Sequence, residues 1–367
     1  MTLRPDTDDY QRLFLEDVPL LDLRAQVEFA QGAFPSASNR PILNDAERHQ
    51  VGISYRRQGQ EAAIALGNQL VSGAVKERRV QAWKDFASDY PEGYLYCYRG
   101  GLRSRIGQQW LGEAGSPYPM VVGGYKALRR FLIDNLEAQS QALPLVVVGG
   151  MTGTGKTDLL VGLERSVDLE GLANHRGSSF GRHLDGQPAA IDFQNRLSIR
   201  LLKLARAGLA PVAIEDEGKM IGSLSIPMTL QEKMQQSPIV QIEAPLEYRV
   251  QCLQRGYVEE SYAEHVAVYK DDAMDYYRDY LLEALGRIHK RLGGLRYQRI
   301  RAMMKDALSR QAASGNILGH RHWIEALLRD YYDPMYEYQL EAKKERIRFA
   351  GSFEAVREYL QEEYGIQ

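Results

Sequence analysis

The run Leu145-Val-Val-Val-Gly-Gly-Met-Thr-Gly-Thr-Gly-Lys-Thr157 constrains the fold more than any other part of this chain. Its four apolar residues suit a strand buried on both faces, as in a parallel sheet. Gly150 to Thr157 then fits G-x-x-x-x-G-K-[ST], and the apolar Leu159-Leu160-Val161 opens a helix. Gly150, Gly153 and Gly155 let backbone N–H groups close around phosphate oxygens. Lys156 neutralises the outer phosphate, and the Thr157 hydroxyl is a ligand for Mg²⁺. A strand, a phosphate loop and a helix in that order predict an α/β domain of the P-loop kind.

A second loop constrains the chemistry. Tyr94-Leu-Tyr-Cys-Tyr-Arg-Gly-Gly-Leu-Arg-Ser104 places one cysteine at the end of an apolar strand, before a Gly/Arg turn and a helix. N–H groups at a helix start favour negative charge, and Arg99 and Arg103 add positive charge, so Cys97 is expected as a reactive thiolate. A structural thiol is the expectation for Cys252, in the helical pattern Tyr248–Arg255.

The 367 residues suffice for two ordinary cores, and 44% hydrophobic with 26% charged residues describes a soluble globular protein. No apolar run reaches bilayer length, and the polar, acidic N-terminus is unlike a signal peptide. Two cysteines fit a reducing compartment, so the cytoplasm is expected, without membrane partners. A net charge of −2 excludes a uniformly basic nucleic-acid binder; local clusters would have to serve.

The pattern predicts strands at Pro19–Arg24, Tyr94–Tyr96, Leu145–Val148, Pro211–Glu217 and Ile239–Ala244, alternating with helices such as Glu61–Glu77 and Ser104–Ala114. Three regions follow: 1–136 around the cysteine loop, 137–260 around the phosphate loop, and a helical 261–367. Residues 137–144 are expected to link the first two.

Further candidates cluster by type. Asn174, His175, Arg176, Ser178 and Ser179 lie in a Gly-punctuated turn and suit a substrate or an anion. Glu215 and Asp216, with Glu217, stand at a strand end where an acid could hold Mg²⁺, with Asp192 as a rival; a metal requirement is left open. Arg287–Arg301, His320-Arg-His-Trp323 and Lys343–Arg348 interleave cations with Tyr297, Trp323, Tyr331, Tyr332, Tyr336 and Tyr338. That mixture fits RNA phosphates and unpaired bases, or solvated helices over an aromatic core.

Residues 15–130 resemble the rhodanese family. Asp22-Leu-Arg24, Glu28-Phe29 and Gly32–Asn39 look like its N-terminal signature, which implies that Cys97 carries a transferable sulfur or selenium. Five residues separate Cys97 from Arg103, one more than in the common sulfurtransferase loop and as in Cys-nucleophile phosphatases. The order of a rhodanese-like domain, a P-loop domain with a helical C-terminal extension, and Asp333-Pro-Met-Tyr336 resembles the tRNA 2-selenouridine synthase family along the whole chain.

That resemblance implies a transferase replacing sulfur by selenium at C2 of wobble 2-thiouridine in tRNA. Geranyl diphosphate would first alkylate the sulfur, and selenophosphate would then supply selenium. Cys97, with Arg99 and Arg103, would handle selenophosphate, and Gly150–Thr157 would hold the diphosphate. Selenophosphate synthase is a further partner the resemblance suggests. An ATP-dependent tRNA sulfurtransferase and a nucleotide-gated RNA-binding protein are the alternatives.

Overall fold

The computed structural model describes residues 4–367, the side chain of Gln339 excepted. Two compact units make up the chain. One comprises residues up to Gln139 together with Ala189–Lys203; the other comprises Ser140–Pro188 and Leu204–Gln367.

In the first unit, short strands Leu20–Asp22 (β1), Ala37–Asn39 (β2) and Tyr94–Tyr96 (β3) form a parallel sheet in the order β2-β1-β3. Central β1 and neighbouring β3 are buried throughout, as a sheet covered on both faces requires. Asp22 and Arg24 form a buried ion pair at the sheet's end, and the Tyr96 hydroxyl donates to Asp22 at 2.6 Å. Arg24 also donates to the carbonyls of Glu28 and Gly32, fixing the helix Gln26–Ala30 against the sheet. Helical spacing predicted over Glu61–Glu77 is interrupted: Gln60–Leu70 and Gly73–Asp89 are separate helices.

Two expectations about boundaries need correction. Residues 137–142 continue the helix Gly124–Ala142, because Glu-Ala-Gln-Ser-Gln-Ala contains nothing that stops a helix before Pro144. Residues 189–203 belong with the first unit: Asp192 accepts from the Ala33 N–H at 2.6 Å, and the Asn135 side chain donates to the Ser198 hydroxyl at 2.9 Å.

The second unit is built on a five-stranded parallel sheet. Leu145–Gly150 (β4), Ser166–Val167 (β5), Val212–Glu215 (β6), Ile239–Ile242 (β9) and Ile347–Gly351 (β10) take the order β10-β9-β4-β6-β5; a separate hairpin pairs Met220–Ile221 (β7) with Leu224–Ser225 (β8). Central β4 is fully buried, which is why it reads as an unbroken apolar run. Val148 pairs with Glu215 on one side and Val240 on the other, so Glu215 ends the strand beside the phosphate loop. Residues 261–367 are not purely helical. The alternating Ile347-Arg-Phe-Ala-Gly351, concealed by cations before it, returns as edge strand β10.

The tail's aromatics are largely core. Trp323, Tyr277, Ile300, Met304 and Leu327 are fully buried in one cluster, with Tyr332 almost so and Tyr297, Tyr331 and Tyr336 packed against it. Lys343 pairs with Asp216, and Arg346 donates to the carbonyls of Met234 and Ser237. Lys290, Arg291, Arg296 and Arg301 stay exposed, and Tyr338 with them.

His320 makes this helical layer sensitive to acid. Its Nδ1 accepts from the Trp323 indole at 2.9 Å, which leaves Nε2 to donate to Gln311 Oε1 at 2.9 Å in the neutral ring. Burial pushes its pKa down to about 4, from 6.5. The unfolded chain therefore takes up a proton below about pH 6.5 that the folded one refuses. Stability is full above that pH and falls as the pH drops towards 4. Between pH 7 and 4.5 this group should remove about 2–3 kcal/mol from the unit's urea stability. His320→Gln should flatten that difference by the same amount; an unchanged slope would contradict it.

Candidate functional site

Cys97 follows β3 directly and is 3% exposed. Its carbonyl accepts from the Tyr125 N–H at 2.9 Å and that of Tyr98 from the Lys126 N–H at 2.9 Å, which pins the loop from behind. Gly124 has φ +57°, and a Cβ there would stand 2.3 Å from the Cys97 oxygen, so only glycine allows this approach. The helix Leu102–Glu113 starts where the loop ends.

The two loop arginines differ. Arg99 is exposed, whereas Arg103 grips Glu28 through two hydrogen bonds of 2.6 and 3.1 Å. Burial disfavours both charges, yet the contact prevails: Arg103 is held above its ordinary pKa and Glu28 below its own. Arg48 approaches Glu28 at 3.2 Å as well. Arg103 thus enters the site already paired, and Arg99 is the loop cation open to solvent. Beside the loop lies a cavity of about 870 Å³, with Cys97, Arg99 and Arg103 on its wall.

The phosphate loop closes a second, smaller cavity of about 430 Å³. Gly153 and Gly155 have φ +84° and +88°, backbone that glycine adopts without strain. Lys156 donates to the Gly150 carbonyl at 2.9 Å and lies 5.8 Å from the Tyr336 ring centre. Thr157 donates to Glu215 at 3.1 Å, and the Glu170 N–H donates to the other Glu215 oxygen at 3.0 Å. Burial pushes the Glu215 carboxyl up to about 7 and raises Glu170 and Glu217 too.

The predicted polar turn divides. Asn174, His175, Arg176 and Ser178 line this cavity; Ser179 instead donates to the Ala284 carbonyl at 2.7 Å. His175 Nδ1, Arg176 Nη1 and the Tyr332 hydroxyl are buried with no hydrogen-bond partner. Such groups are costly unless a ligand satisfies them. Burial, then Arg182, lowers the His175 pKa to about 4, so its ring is neutral near pH 7. Asp216 turns away to Lys343, and Asp192 belongs to the first unit. Cys252 stands on the cavity wall, part-exposed.

Residues 143–366 match the model of the family described as tRNA 2-selenouridine synthase AAA domain. Over the full length, the chain is 54% identical to the tRNA 2-selenouridine synthase of Marinobacter nauticus, covering 98% of both chains. It is 55% identical to that of Pseudomonas fluorescens strain Pf0-1, covering 97% of this chain and 98% of the relative. For the Bordetella bronchiseptica synthase the identity is 54%, over 98% of both. The chain belongs to the tRNA 2-selenouridine synthase family.

In this member of the family, several site residues carry little sequence signal. Glu28 was visible only as part of the Glu-Phe pair, not as the partner of an arginine 75 positions on. Glu170 lies just after the two-residue strand β5, too short to register as a strand. Arg249, 4% exposed, donates to the Thr152 carbonyl at 2.9 Å and pairs with Asp333. It thereby braces the phosphate loop from a helix that reads as ordinary surface.

Among the described residues, no group of three or more His, Cys, Asp or Glu side chains forms a metal cage. Thr157 and Glu215 do fit a Mg²⁺ that keeps waters and phosphate oxygens as its other ligands. Such an ion would neutralise charge on a bound diphosphate.

Proposed function

We propose that this chain exchanges sulfur for selenium at C2 of wobble 2-thiouridine in tRNA, using geranyl diphosphate and then selenophosphate. One observation carries the reading: each compact unit has its own site, a rhodanese-like cysteine loop in the first and a phosphate loop in the second. The names of the relatives supply the tRNA and the product.

In the first step the thiocarbonyl sulfur attacks C1 of geranyl diphosphate. The C–O bond breaks, and diphosphate leaves with the electron pair. Lys156, the loop N–H groups and the unpaired Nη1 of Arg176 stabilise that charge. The uracil ring loses its N3 proton, and the sulfur becomes a thioether, a far better leaving group.

In the second step Arg99 draws in selenophosphate, and the Cys97 thiolate attacks its phosphorus, so that selenide leaves with the P–Se electron pair. The selenide adds to C2, the geranyl thiolate departs and takes up a proton, and water cleaves the Cys97 thiophosphate to phosphate. Exposed Lys290, Arg291, Arg296 and Arg301 would neutralise tRNA phosphates. Selenophosphate synthase is the natural supplier of the selenium donor, and the cytoplasm the natural setting. No described helix is long and apolar enough to cross a membrane.

The contact between Thr157 and Glu215 favours one rival, ATP-dependent activation of C2 by a sulfurtransferase, since it is the pair that holds Mg²⁺ beside a nucleotide. Mass spectrometry of a 2-thiouridine anticodon hairpin separates the two. With geranyl diphosphate and selenophosphate alone, S-geranyl RNA should appear and give way to 2-selenouridine. Product only when ATP is added would establish the rival.

A further inference from the structure

We propose that the cavity beside Cys97 binds the ten-carbon geranyl chain of the alkylated RNA during selenation; this rests on the geranyl reading above. Selenide released beside Cys97 must approach C2 to within about 3–3.5 Å, and the departing sulfur is bonded to that same carbon. The chain therefore begins beside Cys97 however the base is turned. Leaving it in water would forfeit the gain from burying its apolar surface.

The cavity answers that need. Its inner wall is apolar, from Ile42, Val51, Ala63, Ile64, Ile106 and Trp110, contributed mainly by the helices Asp45–Gln58, Gln60–Leu70 and Leu102–Glu113. Tyr98 and Leu102, 41% and 44% exposed, continue the apolar lining towards solvent. Its polar lining is the cysteine loop with Arg99 and Arg103, joined by Glu28, Arg48, His49, Arg56 and Asn68. An apolar recess joined to an anion-favouring loop matches a ligand whose apolar tail meets a reactive, polar head. At about 870 Å³ it lies within the usual range for ligand pockets and has room for both chain and base. The phosphate-loop cavity is half that size, and charged and polar groups from the loop, the acids and the turn make up a larger share of its wall.

The test uses full-length protein, selenophosphate, and two hairpins carrying S-geranyl- or S-methyl-2-thiouridine. Val51→Trp fills the recess, and Ile64→Ala removes part of its wall. Val51→Trp should lower kcat/KM for the geranyl hairpin about tenfold or more while leaving the methyl hairpin within about twofold. Ile64→Ala should lower the geranyl-to-methyl ratio in the same direction by a smaller factor. Phosphorylation of Cys97 by selenophosphate, read from intact mass, should match wild type in both and reports a folded first unit. Should Val51→Trp fail to be phosphorylated, Ile64→Ala decides alone. Ratios equal to wild type in the variants that are phosphorylated would overturn the assignment. Wild type that never converts the geranyl hairpin would instead sink the geranyl reading itself.

Discussion

Cys97→Ser is expected to leave geranyl transfer at its wild-type rate and to abolish selenation, so that S-geranyl RNA accumulates. The substitution changes one atom. The backbone contacts that pin the loop, Tyr125 N–H to the Cys97 carbonyl and Lys126 N–H to that of Tyr98, involve no side chain and survive. Glu28 and Arg103 keep each other's charge, so the loop's electrostatics persist as well. What disappears is the thiolate that attacks the phosphorus of selenophosphate; a serine hydroxyl stays protonated and does not replace it. Loss of an obligatory nucleophile should lower the selenation rate by about a thousandfold or more. Liquid chromatography with mass detection follows both products in one reaction. Selenouridine formed at even a tenth of the wild-type rate would mean that Cys97 is not the obligatory nucleophile. Disappearance of S-geranyl RNA as well would mean that the two steps are not separate.

How much of this could be read beforehand depended on whether a residue acts through its neighbours in sequence. The phosphate loop and the cysteine loop are each contiguous, so their backbone conformation follows from glycine placement and their chemistry from one lysine and one cysteine. The α/β class followed from the same two stretches. Residues that act across the chain were not legible. Glu28 meets Arg103, Arg249 meets Thr152 and Asp333, and Lys343 meets Asp216, each pair joined by folding alone. The acids at the end of β6 looked equivalent, yet Glu215, the strand's last residue, meets Thr157, while Asp216, just past it, pairs with Lys343. The tail left two readings open. Cations and aromatics interleave at helical spacing, so one face became core around Trp323 while the other kept Lys290, Arg291 and Arg301 in solvent. Strand β10 escaped because an edge strand needs only two apolar residues facing one way, and Ile347 and Phe349 are its only large ones.

Lys156→Ala is expected to produce the opposite defect: no geranyl transfer, but normal selenation of RNA that already carries the geranyl group. The charge of Lys156 acts on Glu170, Glu215 and Glu217. Burial opposes its charge, while Tyr336 and those acids hold its pKa above the ordinary value. Without it, an arriving diphosphate loses its lysine donor, and the carboxyls of Glu170, Glu215 and Glu217 lose the cation that balances them. A single preorganised donor to a developing charge is worth about a hundred- to a thousandfold in rate, and here ground-state affinity falls too. The turnover of geranyl diphosphate should therefore drop at least that far. Adding both variants to one reaction gives the sharper result. Cys97→Ser would make S-geranyl RNA that Lys156→Ala could finish, so the mixture should recover 2-selenouridine although neither variant makes it alone. Recovery requires that the geranylated RNA leave one molecule and bind another. A mixture that accumulates S-geranyl RNA, while Lys156→Ala converts the same RNA when given it purified, would show that the intermediate passes between the two sites without release.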